Sequence, residues 1–247
     1  MFRRITALNN HGVESMERRH FREAIFSFRH ALDCLQSASV ANSDANNNNN
    51  NNKMQVVEIM QHQPLQVVPI PLDCLDPSVV LSISPHNILE VYQCAFALMP
   101  GSPSMQTTTE ALMVVFYNLG LTHHLWGLSY LSAKDSQIHL REALRCYKVA
   151  GNLFHACQVN GEHYNSGDVP LISSLTLVLG LLNNLGHTLA HFCKFNEARM
   201  CGTVLDDLID STCSSAGHYL LSEADGDFFF HTLSFMQVPA NNLAPAA

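Results

Sequence analysis

The stretch that decides the fold is Asn10-His11-Gly12, followed nine residues later by Phe21-Arg22-Glu23-Ala24-Ile25. The same order, in which an Asn-x-Gly motif precedes a Glu-Ala pair, occurs three times along the chain. Self-similarity of this kind predicts a repeat architecture. The second copy is Tyr117-Asn118-Leu119-Gly120 with Leu140-Arg141-Glu142-Ala143-Leu144, and the third is Asn183-Asn184-Leu185-Gly186 with Phe195-Asn196-Glu197-Ala198.

The recurring glycines and alanines predict close helix packing. A glycine inside a helix costs about 1 kcal/mol relative to alanine, so three of them at matching positions indicate a packing role. Twelve residues separate Gly12 from Ala24 and Gly186 from Ala198. This spacing carries the chain along the first helix, through a short connection and back along the second helix to the level of the glycine. The separation in the second copy is eleven residues longer, close to three helical turns. The predicted facing pairs are Gly12/Ala24, Gly120/Ala143 and Gly186/Ala198.

The motif resembles the tetratricopeptide repeat (TPR), in which a small residue on a first helix faces aromatic and small residues on a second. The third copy departs from the TPR pattern, because Gly202 and Leu205 stand where an aromatic and a small residue belong. The first copy carries the resemblance best, through Leu8, Asn10, Gly12, Phe21, Glu23, Ala24, Ile25, Phe28, Ala31 and Leu32.

The resemblance implies an all-α, TPR-like solenoid of antiparallel helix pairs with an irregular, partly extended insertion. Residues 1–37 form the first helix pair, and 38–85 form an Asn-rich disordered loop and a Pro-rich insertion. Residues 86–237 hold the remaining repeats and a C-terminal capping helix in the same domain, and 238–247 form a tail. Helices are predicted at 3–17, 20–37, 87–99, 105–131, 134–160, 170–193, 195–212 and 227–236.

Two segments of the insertion have contrasting composition. Asn46 to Asn52 is an unbroken asparagine tract, which cannot bury enough apolar surface to offset its chain entropy and is predicted to be a disordered linker. Residues 54–85 combine β-branched residues with five prolines, which favours extended segments that cross the helices, including a short hairpin. After them, Asn87 is a suitable N-cap for a helix that runs to Met99.

The same resemblance implies a concave groove lined by the first helix of each pair, which holds an extended peptide or a partner helix. An asparagine side chain suits this task because its amide both donates and accepts, and so matches a peptide backbone of any sequence. The alternative is that these asparagines bond within the protein itself. The groove-lining residues implied are Asn9, Asn10, Val13, Tyr117, Asn118, Leu121, Asn183, Asn184 and His187.

Composition and charge restrict the partner. The net charge is −8, and from Cys201 to the C-terminus there are six acidic residues and no Lys or Arg. Nucleic-acid binding needs cationic surface, so the predicted partner is a neutral or basic protein or peptide. The apolar run from Leu171 to Leu182 is too short and too polar for a membrane span. Eight cysteines without a signal peptide predict an intracellular protein, cytoplasmic or nuclear, with reduced thiols.

Two enzymatic alternatives are weaker than an interaction role, and the sequence predicts neither a cofactor nor a metal. His187 and His191 lie four apart, but Thr188 stands where zinc proteases carry their Glu. Cys157 has histidines nearby, but nothing in the sequence lowers its thiol pKa. The hypothesis is therefore a non-catalytic protein–protein interaction module, with a metal- or thiol-dependent enzyme and a helical-repeat nucleic-acid binder as alternatives.

Overall fold

Seven α-helices and two short β-strands make up the described part of the protein. The computed structural model describes residues 2–46, 65–74, 90–99, 105–129, 132–161, 175–214 and 221–236. The helices are α1 (Phe2–Glu17), α2 (Phe21–Asn46), α3 (Met105–Ser129), α4 (Ala133–Gly161), α5 (Leu175–His191), α6 (Phe195–Ser214) and α7 (Glu223–Met236), and the strands are β1 (Val67–Pro71) and β2 (Cys94–Leu98).

The helices pack as antiparallel pairs in chain order. Helix α1 packs on α2, α3 on α4, and α5 on α6, and the pairs are joined by contacts of α2 with α3 and of α4 with α5. Helix α7 closes the end by packing on α5 and α6. The helical periodicity of the sequence therefore placed these seven helices correctly, apart from their ends.

Two of the pairs turn in the same way. Arg19 (φ 60°) and Cys193 (φ 57°) both adopt the left-handed conformation, and each lies seven residues after its repeat glycine. In each turn two successive amides bond back to carbonyl groups at the end of the first helix. The first of them is Arg19 N, which bonds to Met16 O at 2.8 Å, and Cys193 N, which bonds to Ala190 O at 2.9 Å. The amide of the next residue, His20 or Lys194, makes the second bond. This closure satisfies the free carbonyls of the helix end, so the first and third copies share their turn geometry.

The repeat glycines make room for aromatic rings. A methyl group at Gly12 would lie 2.6 Å from ring atoms of Phe28, and one at Gly120 would lie 2.8 Å from the ring of Tyr147. The close neighbours of these glycines are thus the aromatic residues one helical turn after Ala24 and Ala143. The sequence spacing had predicted the two alanines as the neighbours. All six residues of the three predicted pairs are buried.

The helix predicted from Asn87 to Met99 is wrong where the structure describes it. None of residues 90–99 is helical, and Cys94–Leu98 forms strand β2, which pairs antiparallel with β1. The register sets Pro69 opposite Phe96 and Pro71 opposite Cys94. Strand β1 does confirm an extended segment within 54–85.

The boundary at residue 37 also moves, because α2 continues to Asn46. Ala38, Ala41 and Ala45 favour this continuation through their high helix propensity. The rest of the asparagine tract, from 47 to 52, lies outside the described residues, as do most of 54–85 and the tail 238–247.

Alanine substitutions at two helical glycines are expected to change stability in opposite directions. A methyl group at Gly180 would lie 2.6 Å from the buried Tyr92 ring, whereas one at Gly151 meets nothing within 4 Å. We expect Gly180→Ala to destabilise the fold by about 1–3 kcal/mol through overpacking. We expect Gly151→Ala to stabilise it by about 0.5–1 kcal/mol through helix propensity. Urea unfolding measures both, and equal effects of the two changes would refute this packing.

Candidate functional site: an asparagine-lined groove

The first helices of the three pairs present asparagines to one extended segment. We call this surface the asparagine groove, formed by Asn9 and Asn10 on α1, Asn118 on α3, and Asn183 and Asn184 on α5, and we call residues 90–98 the inner strand. All five asparagines hydrogen-bond to backbone groups of the inner strand. The groove predicted for a peptide is therefore occupied by the protein's own chain.

Asn118 makes the central contact. Its Oδ1 accepts the Phe96 backbone N–H at 2.9 Å, and its Nδ2 donates to the Phe96 carbonyl oxygen at 2.8 Å. The same Nδ2 donates to Asn9 Oδ1 at 3.0 Å. Asn118 and Phe96 are both 0 % exposed, so the side-chain amide replaces the neighbouring strand that Phe96 would otherwise need.

The same bidentate contact recurs on the other two helices. Asn184 Oδ1 accepts from Tyr92 N at 2.8 Å, and its Nδ2 donates to Tyr92 O at 3.0 Å. Asn10 Oδ1 accepts from Leu98 N at 2.9 Å, and its Nδ2 donates to Leu98 O at 2.8 Å. The asparagine of the Asn-x-Gly motif thus has one role in all three copies.

Three further side chains on the helices donate to carbonyl groups of the inner strand. Asn9 Nδ2 donates to Phe96 O at 2.9 Å, and Asn183 Nδ2 donates to Glu90 O at 2.9 Å. The Tyr117 hydroxyl donates to Cys94 O at 3.1 Å. Every second carbonyl of the inner strand, at residues 90, 92, 94, 96 and 98, therefore has a donor on the helices.

Strand β1 occupies the opposite edge of the inner strand. Leu72 N donates to Gln93 O at 2.8 Å, and Met99 N donates to Gln66 O at 3.0 Å. In an antiparallel pair, opposed residues either exchange both bonds or turn both groups away. Phe96 turns toward Asn118, so Pro69 opposite it also turns away from β2. The missing N–H of Pro69 therefore removes no hydrogen bond between β1 and β2.

The remaining predicted groove residues are buried as well. Val13 is 3 % exposed, Leu121 and Tyr117 are 0 % exposed, and all three belong to the main hydrophobic core. His187 is 2 % exposed and bonds to His124, with 3.0 Å between His187 Nδ1 and His124 Nε2. The structure thus brings the asparagines together on one backbone segment, while Val13, Leu121 and His187 serve the core around it.

Tyr92 ties the inner strand to the C-terminal helix, which sequence reasoning missed. Its hydroxyl donates to the Asp225 carboxylate on α7, and its ring packs against Phe228 and Phe229 with centroids 5.1 and 4.8 Å away. Burial is the main cause that raises the pKa of Tyr92, so the hydroxyl stays a donor. Asp225, Gly226 and Asp227 lie near the start of α7.

Buried histidines lie beside the groove. His124 Nδ1 is 3.3 Å from the Tyr147 hydroxyl, and its other nitrogen meets His187. His123 and His139 stack with their Nδ1 atoms 2.9 Å apart. Burial lowers the pKa of His123 and of His187 to about 3, and it lowers the pKa of His124 well below its usual value. These three imidazoles are therefore neutral in the folded protein at neutral pH.

We expect stability to fall as the pH drops below about 6.5. In the unfolded chain these histidines regain a pKa near 6.5. Between about pH 6.5 and 3 the unfolded state therefore binds more protons than the folded state does. Each histidine then destabilises the fold by about 1.4 kcal/mol per pH unit, and above that window the contribution vanishes. Urea unfolding between pH 5.5 and 7.5 measures the slope.

Substitution of a buried histidine provides the comparison. His187→Gln should reduce the slope by about one proton. A parent protein equally stable at pH 5.5 and 7.5 would contradict the neutral state of these side chains.

The four buried thiols of the described part do not have the low pKa of an activated nucleophile. Burial raises the pKa of Cys74 and Cys201 to about 11, and that of Cys94 and Cys146 to about 12, so these thiols are protonated at neutral pH. Within the described ranges no three His, Cys, Asp or Glu side chains converge as a metal site. The side chain of Cys157 lies outside the described part.

A scan of protein-family models and searches of curated proteins and of solved structures find no match to this chain. Among the helices that the structure describes, none has the length and apolar character needed to cross a membrane.

Proposed function

We propose that this protein is a non-catalytic protein–protein interaction module, built on TPR-like helix pairs, whose asparagine groove holds extended polypeptide. The observation that supports this most is the bidentate contact that Asn10, Asn118 and Asn184 make with three backbone positions, at residues 98, 96 and 92, of one segment. The bonds that these amides make to the segment go to its backbone atoms. The amides are therefore chemically able to hold any extended peptide whose side chains fit the neighbouring pockets.

In the resting protein the inner strand is the occupant, so an external peptide has to compete with it. A tethered segment acts at an effective concentration of millimolar order, and the apparent affinity for an outside peptide falls with the fraction of open grooves. Phe96, Leu98 and Cys94 are buried at 0–4 % exposure, which strengthens the internal occupant. The partner on this proposal is a neutral or basic protein segment, because the chain carries a net charge of −8.

The test uses a labelled peptide with the sequence of Glu90 to Met99. Phe96→Ala in the full chain weakens the internal occupant by about 3–5 kcal/mol. It should therefore raise the affinity for the peptide at least about tenfold over the parent. A second change, Asn118→Ala, should abolish that gain because it removes the amide that holds the peptide.

An N-methylated peptide is the matched control. Methylation at the nitrogens corresponding to Tyr92 and Phe96 removes the two donors that Asn184 and Asn118 accept, so this peptide should bind at least about tenfold more weakly. If Phe96→Ala loses stability but gains no affinity for the unmodified peptide, the groove serves only the fold and the proposal fails.

A further inference from the structure

A second surface lies on α4 and on the turn between α5 and α6, and it contains none of the groove asparagines. It is an open hollow of about 520 Å³ lined by Leu144, Phe192 and four cationic side chains: Arg141, Arg145, Lys148 and Lys194. Arg141, Arg145 and Lys148 lie four and three residues apart on α4, so they project from one exposed face. We call this surface the basic hollow.

The floor of the basic hollow is apolar and its position is fixed. Leu144 and Phe192 are half-buried and pack against the hydrophobic clusters of the protein. The turn that carries Phe192 and Lys194 is held by Cys193 in the left-handed conformation and by the bond from Lys194 N to Leu189 O at 2.9 Å. The hollow is therefore a preformed feature that can receive an apolar side chain.

The rim combines cations with two carboxylates. Glu197 binds Lys148 at 3.0 Å and Lys194 at 3.1 Å, and so connects α4 to the α5–α6 turn. Glu142 lies 3.6 Å from Arg145. Four cations and two carboxylates leave a formal local charge of 4 − 2 = +2, whereas the whole chain carries −8. A positive surface on a negative molecule selects for a negatively charged partner by steering and complementarity.

We infer that the basic hollow docks an acidic segment of a partner protein, which inserts one apolar or aromatic side chain between Leu144 and Phe192 while its carboxylates meet the four cations. A protein segment fits better than a nucleic acid, because the rim carries Glu142 and Glu197 and the floor is apolar. It also fits better than a membrane, because the apolar floor is a hollow and not a protruding surface that could enter a lipid layer. The contact is separate from the asparagine groove, so either proposal can fail without the other.

The experiment measures binding of a glutamate-rich peptide with one central tryptophan to the full chain by fluorescence anisotropy. We expect binding that weakens with added salt. Replacing the tryptophan by alanine, or the glutamates by glutamines, should each lower the affinity about tenfold. Glutamate and glutamine peptides that bind equally well would overturn the charge argument, and so would a parent protein that binds neither.

Paired charge reversals locate the site. Arg141→Glu with Arg145→Glu should lower the affinity at least about tenfold. Arg3→Glu with Arg4→Glu, at exposed positions of α1, makes the same change in net charge and should lower it less than threefold. Equal losses in the two variants would place the binding elsewhere. Single-stranded DNA or anionic vesicles that bind the hollow more tightly than the peptide would overturn the class of partner.

Discussion

Asn118→Ala is expected to destabilise the protein by about 3–5 kcal/mol. The substitution removes both bonds to the Phe96 backbone and the bond to Asn9 Oδ1. The Phe96 N–H and the Asn9 oxygen are then left without these partners in a region where Asn118 is 0 % exposed. Each buried polar group without a partner costs about 1–3 kcal/mol. Urea unfolding at neutral pH measures the loss.

Asn10→Ala is the matched control for this substitution. It removes the same bidentate contact, here to Leu98, but at a half-buried position where water can replace the lost partners. We expect a loss of about 1 kcal/mol. If Asn118→Ala costs no more than Asn10→Ala, the buried amide does not hold the inner strand as the geometry indicates.

Ala24→Arg is expected to unfold the first helix pair at a cost of at least about 4 kcal/mol. Ala24 is 0 % exposed and begins the buried face of α2 with Phe21 and Phe28, both in the main core. A guanidinium at this position would lie unpaired in a packed interior, which is among the most destabilising changes known. Thermal or urea unfolding of the purified variant provides the measurement.

Ala156→Arg tests whether the effect depends on burial. Ala156 is exposed on α4, so the same change of residue type should alter stability by less than about 0.5 kcal/mol. If Ala24→Arg unfolds at the urea concentration of the parent, the buried face of α2 is assigned to the wrong residues.

The sequence predicted the helices because their evidence is local. Apolar residues of α2 repeat at helical spacing from Phe21 to Leu35, and the structure buries that face. The Asn-x-Gly motif also marked the correct helix surface, since Asn10, Asn118 and Asn184 make equivalent contacts. The glycine neighbours were less well predicted, because sequence spacing alone cannot distinguish Ala24 from Phe28, one turn later.

The inner strand could not be predicted because its stabilisation is not local. Glu90, Gln93, Ala95, Ala97 and Leu98 are acceptable helix residues, so the segment from Asn87 to Met99 has a helical composition. Its backbone partners are asparagines 22 to 93 residues away in sequence, and tertiary context of this kind overrides propensity. One available signal was the asparagine repeat itself, since amides that recur at a packed helix surface need hydrogen-bond partners.

The basic hollow also could not be predicted from the sequence. Arg141, Arg145 and Lys148 are visible as a cationic face of one helix, but Lys194 is 46 residues further along the chain. Only the packing of α4 against α5 brings Phe192 and Lys194 to that face. The distribution of charges along the chain therefore shows an acidic C-terminal region without showing this local exception.

Residue-resolved amide hydrogen exchange of the parent protein tests the central claim most directly. Tyr92, Phe96 and Leu98 turn their N–H groups away from β1 and toward Asn184, Asn118 and Asn10. We expect all three amides to exchange at least about a thousandfold more slowly than in an unfolded chain, and Asn118→Ala to accelerate Phe96 more than Leu98. Rapid exchange of these three amides, with slow exchange in the helices around them, would contradict the account.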